Sequence, residues 1–279
     1  MSFAALLLAF APGSQPGENP PPSDYSPGGY LYQPAFSVDY ELRQPVRPYV
    51  PQPGDIYLAT EDWFIARAGH TIVYSGAPHH SGIVVAMPDG SMALLEGGPD
   101  STLYLRVLDL MPRLDHYYQT KRVWIRQRCV PLTPEQSYRL TAFALAAKDR
   151  HFAAVRMVKE NSFMHAKGRI RTRLFGHPHA ANFDPQNPEP GMRKKYFCSE
   201  LVTEACVAAW LLPADTSRPT SMYPREWFFG SSRIPYIRNN LDMSAWYPPA
   251  RWTPLPGTEP YIRKMPFIDG DANSIRRSP

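Results

Sequence analysis

The pattern of apolar and polar positions predicts a helix that begins at Cys198. A polar, basic stretch at residues 193–195 leads through Tyr196 and Phe197 to this cysteine. After it, apolar side chains recur at the three-to-four spacing of one buried helical face: Leu201, Val202, Ala205, Ala209 and Leu212. The pattern therefore places a thiol at the N-terminus of an amphipathic helix.

A second pattern, further upstream, predicts a β-hairpin. His80 leads into the short apolar, β-branched run 83–86, which is typical of a buried strand. A similar run at residues 91–96 follows the turn Pro88-Asp89-Gly90. Because Asp-Gly turns commonly join antiparallel strands, the two runs are expected to pair with each other.

Counting outward from this turn places Glu96 opposite roughly Val84, with His80 a few residues further along. On this register a bulge or a twist has to bring the carboxylate to the imidazole, or a third strand has to supply another orienting group. His79 and His80 point to opposite faces of a strand, so only one of them can face Cys198.

Another helix is predicted between the hairpin and the cysteine. Thr133-Pro134-Glu135-Gln136 carries the proline and early glutamate of a helix start, and the apolar pattern continues to Ala147. Strands, this helix and the cysteine helix together predict an α+β fold, in which an antiparallel sheet packs against the helix that bears the cysteine.

The expected position of Cys198 suits nucleophilic catalysis. A helix N-terminus carries partial positive charge and unpaired N–H groups, so it favours a thiolate and can hold an oxyanion. A histidine supplied by the sheet could take the proton of the thiol. Tyr57 and Tyr196 are candidates for a second oxyanion donor.

Four segments occur in an informative order along the chain: Pro53-Gly54-Asp55-Ile56, His80-Ser81-Gly82-Ile83-Val84, Glu96, and Tyr196-Phe197-Cys198-Ser199-Glu200-Leu201-Val202. Over about residues 51–230 they resemble the circularly permuted papain-like cysteine amidases of the YaeF/YiiX group, in the NlpC-like superfamily, whose histidine precedes the cysteine helix. The resemblance implies a permuted papain-like fold with Cys198 as nucleophile, His80 as general base and Glu96 as the residue that orients the imidazole. The mechanism that the resemblance implies requires no cofactor.

The chain departs from that family before the cysteine. Family members usually carry a Tyr-Asp pair and a short spacer there, whereas residues 150–195 are long and basic, and the nearest aspartate in an aromatic context is Asp184. This departure bears on substrate preference more than on chemistry.

The expected activity is a cysteine hydrolase, an amidase or peptidase, acting on peptide, amide or acyl-lipid substrates of the cell envelope. Two alternatives stay open. A thioesterase or lipid acyltransferase would use the same residues. A noncatalytic module that binds an envelope ligand would leave Cys198 no more reactive than an ordinary thiol.

The remaining cysteines and histidines favour structural roles. Cys206 lies two turns along the cysteine helix in an apolar stretch, and Cys129 is expected to lie on an alternating strand, so both are expected to be structural. A metal site would have to recruit the histidines at 79, 80, 177 and 179, whose spacing is not that of a zinc site. No metal is therefore predicted.

The net charge of +5 raises the question of an anionic partner. Basic residues alternate in the segment 167–173, but no stacking aromatics or nucleic-acid-binding motif accompany them. A solvated face is the favoured interpretation and nucleic acid is not an expected partner. An anionic polymer or an acidic substrate group is the alternative.

Composition divides the chain into three parts. Residues 1–50 comprise an apolar, signal-like start that lacks a basic beginning, followed by a proline-rich linker; 51–230 form the catalytic domain; and 231–279 are a proline- and aromatic-rich extension. The start favours export or a cell-envelope location over the cytoplasm. Deletion of residues before Pro51 is expected to leave catalysis intact.

Overall fold

Helices and antiparallel strands combine in an α+β fold. The computed structural model describes residues 28–32, 47–60, 77–98, 102–120, 122–153, 179–230 and 242–254. The signal-like start and the basic segment 167–173 lie outside these ranges. Among the described residues, no helix is long and apolar enough to cross a membrane.

Eight strands in the described part of the chain form an antiparallel sheet: β1 (Tyr30–Tyr32), β2 (Arg47–Pro48), β3 (Ile56–Ala59), β4 (His80–Ala86), β5 (Met92–Gly97), β6 (Leu105–Asp109), β7 (Val123–Arg126) and β10 (Ala250–Thr253). Their order across the sheet is β2-β1-β10-β7-β3-β4-β5-β6. A separate parallel pair joins β8 (His151–Phe152) to β9 (Lys195–Tyr196).

Four α-helices accompany the sheet in the described ranges: α1 (Leu110–Thr120), α2 (Pro134–Ala147), α3 (Cys198–Ala208) and α4 (Pro224–Phe229). Short 3-10 helices cover His179–Asn182, Glu189–Gly191 and Pro219–Ser221. The predicted start of α2 is confirmed, because Thr133 and Gln136 form a reciprocal capping box that satisfies two backbone N–H groups.

The sheet separates two apolar layers. On one face, Tyr57, Val84 and Leu94 pack with side chains of α1. On the other face, residues such as Ile83 and Leu95 pack with α2 and α3. Burial of both faces explains why the central strands read as nearly continuous apolar runs.

The predicted hairpin is confirmed, but its register differs from the expected one. β4 and β5 pair antiparallel around the turn at Gly90, whose φ of 86° suits a glycine. Glu96 lies opposite Gly82 rather than Val84. His80 and Glu96 are therefore diagonal neighbours on one face, and the geometry requires neither a bulge nor a third strand.

Described segments before residue 51 and after residue 230 also contribute strands to the sheet. Described parts of residues 1–50, expected to be a linker, form β1 and β2, and β10 comes from the predicted C-terminal extension. β1 pairs with β10, and β10 pairs with β7. Strands this short carry no detectable alternation, so only their long-range pairing reveals them.

Candidate active site

Cys198 is the first residue of α3, as the sequence predicted. Phe197 precedes it in extended conformation, and the Glu200 carboxylate accepts a hydrogen bond from the Phe197 N–H at 3.2 Å. This contact fixes the entry of the chain into the helix. The first N–H groups of an α-helix have no acceptor within the helix, and Cys198 lies among these residues. The Cys198 side chain is buried.

The loop before the cysteine is tied to the same helix by buried charges. The Arg193 guanidinium binds the Glu204 carboxylate and lies 3.3 Å from Glu200 Oε1. Both carboxylates are fully buried. Because ionised groups are costly to bury alone, this pairing holds the loop and α3 in one arrangement.

His80 is the first residue of β4, and it lies between a carboxylate and the thiol. Its Nε2 is 2.7 Å from Glu96 Oε2. The Cys198 thiol is near enough to act on the pKa of this imidazole. Since Nε2 is held by Glu96, Nδ1 is the ring nitrogen that remains for the thiol.

Glu96 is completely buried and receives two further hydrogen bonds from α1. The Arg113 Nε donates to Glu96 Oε1 at 2.5 Å, and the Tyr117 hydroxyl donates to Oε2 at 2.8 Å. Arg113 also donates to the Tyr117 oxygen at 2.7 Å. The carboxylate is therefore held from two elements at once.

The electrostatics of the site favour a charged imidazole. Burial acts to lower the pKa of His80, but the hydrogen bonds to Cys198 and Glu96 and the charges of these partners outweigh it and raise the pKa to about 9. Burial acts to raise the pKa of Glu96, yet the hydrogen bond and charge of His80 and the charge of Arg113 leave it lowered. At neutral pH the pair is thus imidazolium and carboxylate.

Two tyrosine rings confine the imidazole. The Tyr57 ring meets it edge-on at a centroid distance of 6.1 Å, and the Tyr117 ring lies at 5.8 Å. The two tyrosines also contact each other at 5.1 Å. This packing restricts rotation of the His80 ring about its side-chain bonds.

The two candidates for a second oxyanion donor lie in different surroundings. The Tyr196 oxygen accepts the Arg193 N–H at 2.7 Å, so it serves the loop before the cysteine. Tyr57 lies beside His80, and its hydroxyl is buried. Of the two, Tyr57 is the one in contact with the histidine.

Sequence reasoning missed Arg113 and Tyr117. Their separation of four residues places both on one face of α1, where they reach the same carboxylate. An arginine and a tyrosine at this spacing among apolar neighbours were the available signal. Without the register of β5, nothing in the sequence connected them with Glu96.

The other cysteines and His79 lie apart from this cluster. Cys206 is fully buried in the core, and burial raises the pKa of its thiol to about 12. Cys129 follows the end of β7 rather than lying on a strand, and its thiol donates to the Ser244 carbonyl oxygen at 3.4 Å. His79 is half-buried and precedes β4.

The described residues contain no group of three or more His, Cys, Asp or Glu side chains that could hold a metal ion. His177, one of the histidines considered from the sequence, lies outside the described ranges.

Comparisons with known proteins give matches among solved structures. No family model and no curated protein sequence matches the chain. A similar solved structure is that of the metalloprotein YiiX from Escherichia coli O157:H7, DUF1105, with a TM-score of 0.40 and 14% identity over 74% of this chain and 98% of that chain. This likeness does not show that the chain belongs to the family of that protein.

Proposed function

We propose that this protein is a cysteine-dependent hydrolase of the circularly permuted papain-like type. Cys198 acts as nucleophile, His80 as general base and acid, and Glu96 as the residue that orients the imidazole. The observation that supports the proposal is the position of His80, which lies 2.7 Å from the Glu96 carboxylate and near enough to the Cys198 thiol for that thiol to act on its pKa.

In the proposed reaction, His80 already holds the proton that it has taken from Cys198, and the Cys198 thiolate attacks the substrate carbonyl carbon. The Cys198 N–H at the start of α3 donates to the oxyanion that forms. His80 then gives its proton to the leaving amine or alkoxide as the bond to the carbonyl carbon breaks, which leaves a thioester on Cys198.

Water completes the reaction. His80 accepts a proton from a water molecule that attacks the thioester carbonyl, and the acid product leaves as the thiolate is restored. Glu96 stays ionised throughout and accepts the hydrogen bond from Nε2, so that the imidazole keeps one orientation in both steps. No step needs a cofactor.

The proposed substrates are peptides, amides or acyl lipids, all of which present the planar carbonyl that a thiolate attacks. The proposed location is the cell envelope. Product analysis on short peptides against acyl lipids, with and without an added acceptor alcohol or amine, separates amidase, esterase and acyltransferase activity. An acceptor that becomes acylated in place of water identifies the transferase.

The first experiment measures how fast iodoacetamide modifies each cysteine across pH, by mass-spectrometric peptide mapping. We expect Cys198 to react much faster than Cys129 and Cys206 below pH 7, because a thiolate paired with an imidazolium exists where free thiols are protonated. The advantage should disappear in His80→Ala.

The two other cysteines serve as internal controls within the same sample, one partly accessible and one fully buried. A Cys198 that reacts slowly, with a rate that His80→Ala leaves unchanged, contradicts the hydrolase and supports a noncatalytic binding module.

A further inference from the structure

The α1 face above Glu96 carries a pair of side chains built around that carboxylate. Arg113 and Tyr117 bind one Glu96 oxygen each, and they bind each other through a hydrogen bond of 2.7 Å. The guanidinium carbon also lies 4.1 Å from the centre of the Tyr117 ring. Arg113 is buried. The arrangement therefore fixes the guanidinium in position and orientation.

Charge explains why such a pair is needed. A carboxylate without any exposed surface is costly to keep ionised unless a positive group compensates for it. Under the proposed function, the positive charge of His80 also serves the Cys198 sulfur that attacks the substrate. Arg113 is the second positive group beside Glu96.

We propose that Arg113 is a positioning residue of this site, which keeps Glu96 ionised and aimed at Nε2 of His80 while Tyr117 fixes the guanidinium. The inference rests on the proposed function and deepens it. Arg113 touches neither the thiol nor the carbonyl to be attacked, and it acts through Glu96 and His80.

The other groups around Glu96 do not replace Arg113. His80 faces it from β4, Tyr57 packs near the histidine from β3, and Cys198 reaches it only through the imidazole. Arg106 is its cross-strand partner on β6, but that guanidinium binds Asp149, and both side chains are exposed.

The test is the pH profile of Cys198 alkylation by iodoacetamide in Arg113→Met. Without the guanidinium, burial should raise the pKa of Glu96, so that it takes up a proton and no longer supports the imidazolium. The acid limb of the profile is the pH range over which the alkylation rate of Cys198 rises. We expect it to move to higher pH by about 1–3 pH units. At pH 6 the rate should fall at least about tenfold.

Two conservative variants separate charge from geometry. Arg113→Lys keeps the charge and loses the forked contacts, so the acid limb should stay in place while kcat on a responsive substrate falls about ten- to hundredfold. Tyr117→Phe should likewise leave the acid limb of Cys198 alkylation in place and lower kcat. Neither pattern follows from a loss of stability alone.

Arg139→Met is the matched control, because Arg139 is an equally buried arginine that binds the carbonyl oxygens of Ala208 and Phe183. It should lower stability without moving the acid limb. Circular dichroism at each pH confirms that the variants compared are folded.

An acid limb in folded Arg113→Met that matches the wild type overturns the inference. If that variant does not fold, an Arg113→Lys protein with wild-type kcat overturns it instead. These outcomes differ from failure of the proposed function, in which His80→Ala itself leaves Cys198 alkylation unchanged.

Discussion

His80 couples two groups that would otherwise behave independently. Its Nε2 binds Glu96, and both Glu96 and Cys198 act on its pKa, so a change at the carboxylate can reach the thiol through one imidazole. Because the raised pKa of His80 depends on both partners, the pH at which the ring loses its proton reports on the whole cluster.

The substitution Glu96→Gln tests this coupling. The amide has no negative charge to hold the imidazolium, so the pKa of His80 should fall from about 9 and the alkaline limb of kcat/KM should move to lower pH. The maximum of kcat/KM should drop about ten- to hundredfold, as expected for loss of a hydrogen bond to a charged group. Kinetics from pH 5 to about 10 measure both effects.

The matched control is Glu189→Gln, which removes an exposed carboxylate that binds Arg150 at the surface. Its profile should coincide with that of the wild type. An unchanged alkaline limb in Glu96→Gln would show that the carboxylate does not act on His80.

At the scale of single residues, the sequence indicated the local positions of Cys198, His80 and Glu96, because each lies beside a clear pattern of a turn, a strand or a helix start. Their roles in catalysis stay predictions. Arg113 and Tyr117 could not be assigned, since their partner is set by the packing of α1 on the sheet. That packing depends on tertiary contacts that a local pattern does not encode.

Among the elements, the β4–β5 hairpin decides whether the site can form. Gly82 lies opposite Glu96, between the histidine and the carboxylate along the shared face. A Cβ at this position would lie 2.9 Å from the Leu95 carbonyl oxygen and 3.3 Å from the Glu96 Cβ. The small residue therefore leaves room for the diagonal contact between the two side chains.

We expect Gly82→Ala to destabilise the protein by about 1–3 kcal/mol, because the neighbouring backbone must shift. The displacement should also slow the alkylation of Cys198 at pH 6. Chemical denaturation measures the first effect, and peptide mapping measures the second.

Gly90→Ala is the appropriate comparison within the same hairpin. Gly90 has a φ of 86°, and an added Cβ would meet nothing within 4 Å. Its substitution should cost stability through backbone strain alone and leave Cys198 reactivity at the wild-type value. Equal loss of reactivity in both variants would argue against a specific role of Gly82.

At the scale of the whole molecule, segments far apart in sequence meet in one sheet. β1 lies between β2, which is the next strand along the described chain, and β10, which is the last one. Tyr49 adds a buried link, since its hydroxyl donates to Asp55 Oδ2 at 3.0 Å. The Arg128 N–H donates to the other oxygen at 2.7 Å, so Asp55 joins the chain after β2 to the chain after β7.

A chain that begins at Pro51 lacks β1, β2 and Tyr49. We expect its thermal unfolding midpoint to fall and Cys198 reactivity to be lost with the fold, because β10 loses a neighbour and the buried Asp55 loses a hydrogen-bond donor. This reverses the expectation from sequence that the segment is only a spacer. A chain that begins at Gly28 keeps every described strand and serves as the comparison.

Equal unfolding midpoints and equal alkylation rates for the two chains would restore the spacer interpretation. Calorimetry and peptide mapping on the same preparations decide the matter.

The α+β class was predictable because the capping box of α2, the Asp-Gly hairpin and the amphipathic face of α3 are all local. The strand order was not. Arg47–Pro48 and Tyr30–Tyr32 have too few residues for a period, and proline weakens any strand signal there. Their pairing with distant strands supplies the stability that their own sequence does not.

The position of the thiol has a consequence for folding studies. Cys198 opens a helix on one side of the sheet, whereas its partner opens a strand in the middle of that sheet, far away in sequence. Under the proposed function, the fast alkylation appears only after these segments have met. Pulsed alkylation of Cys198 during refolding would then measure when the site assembles. The Cys198 sulfur itself serves as the probe, so no added fluorophore would be needed.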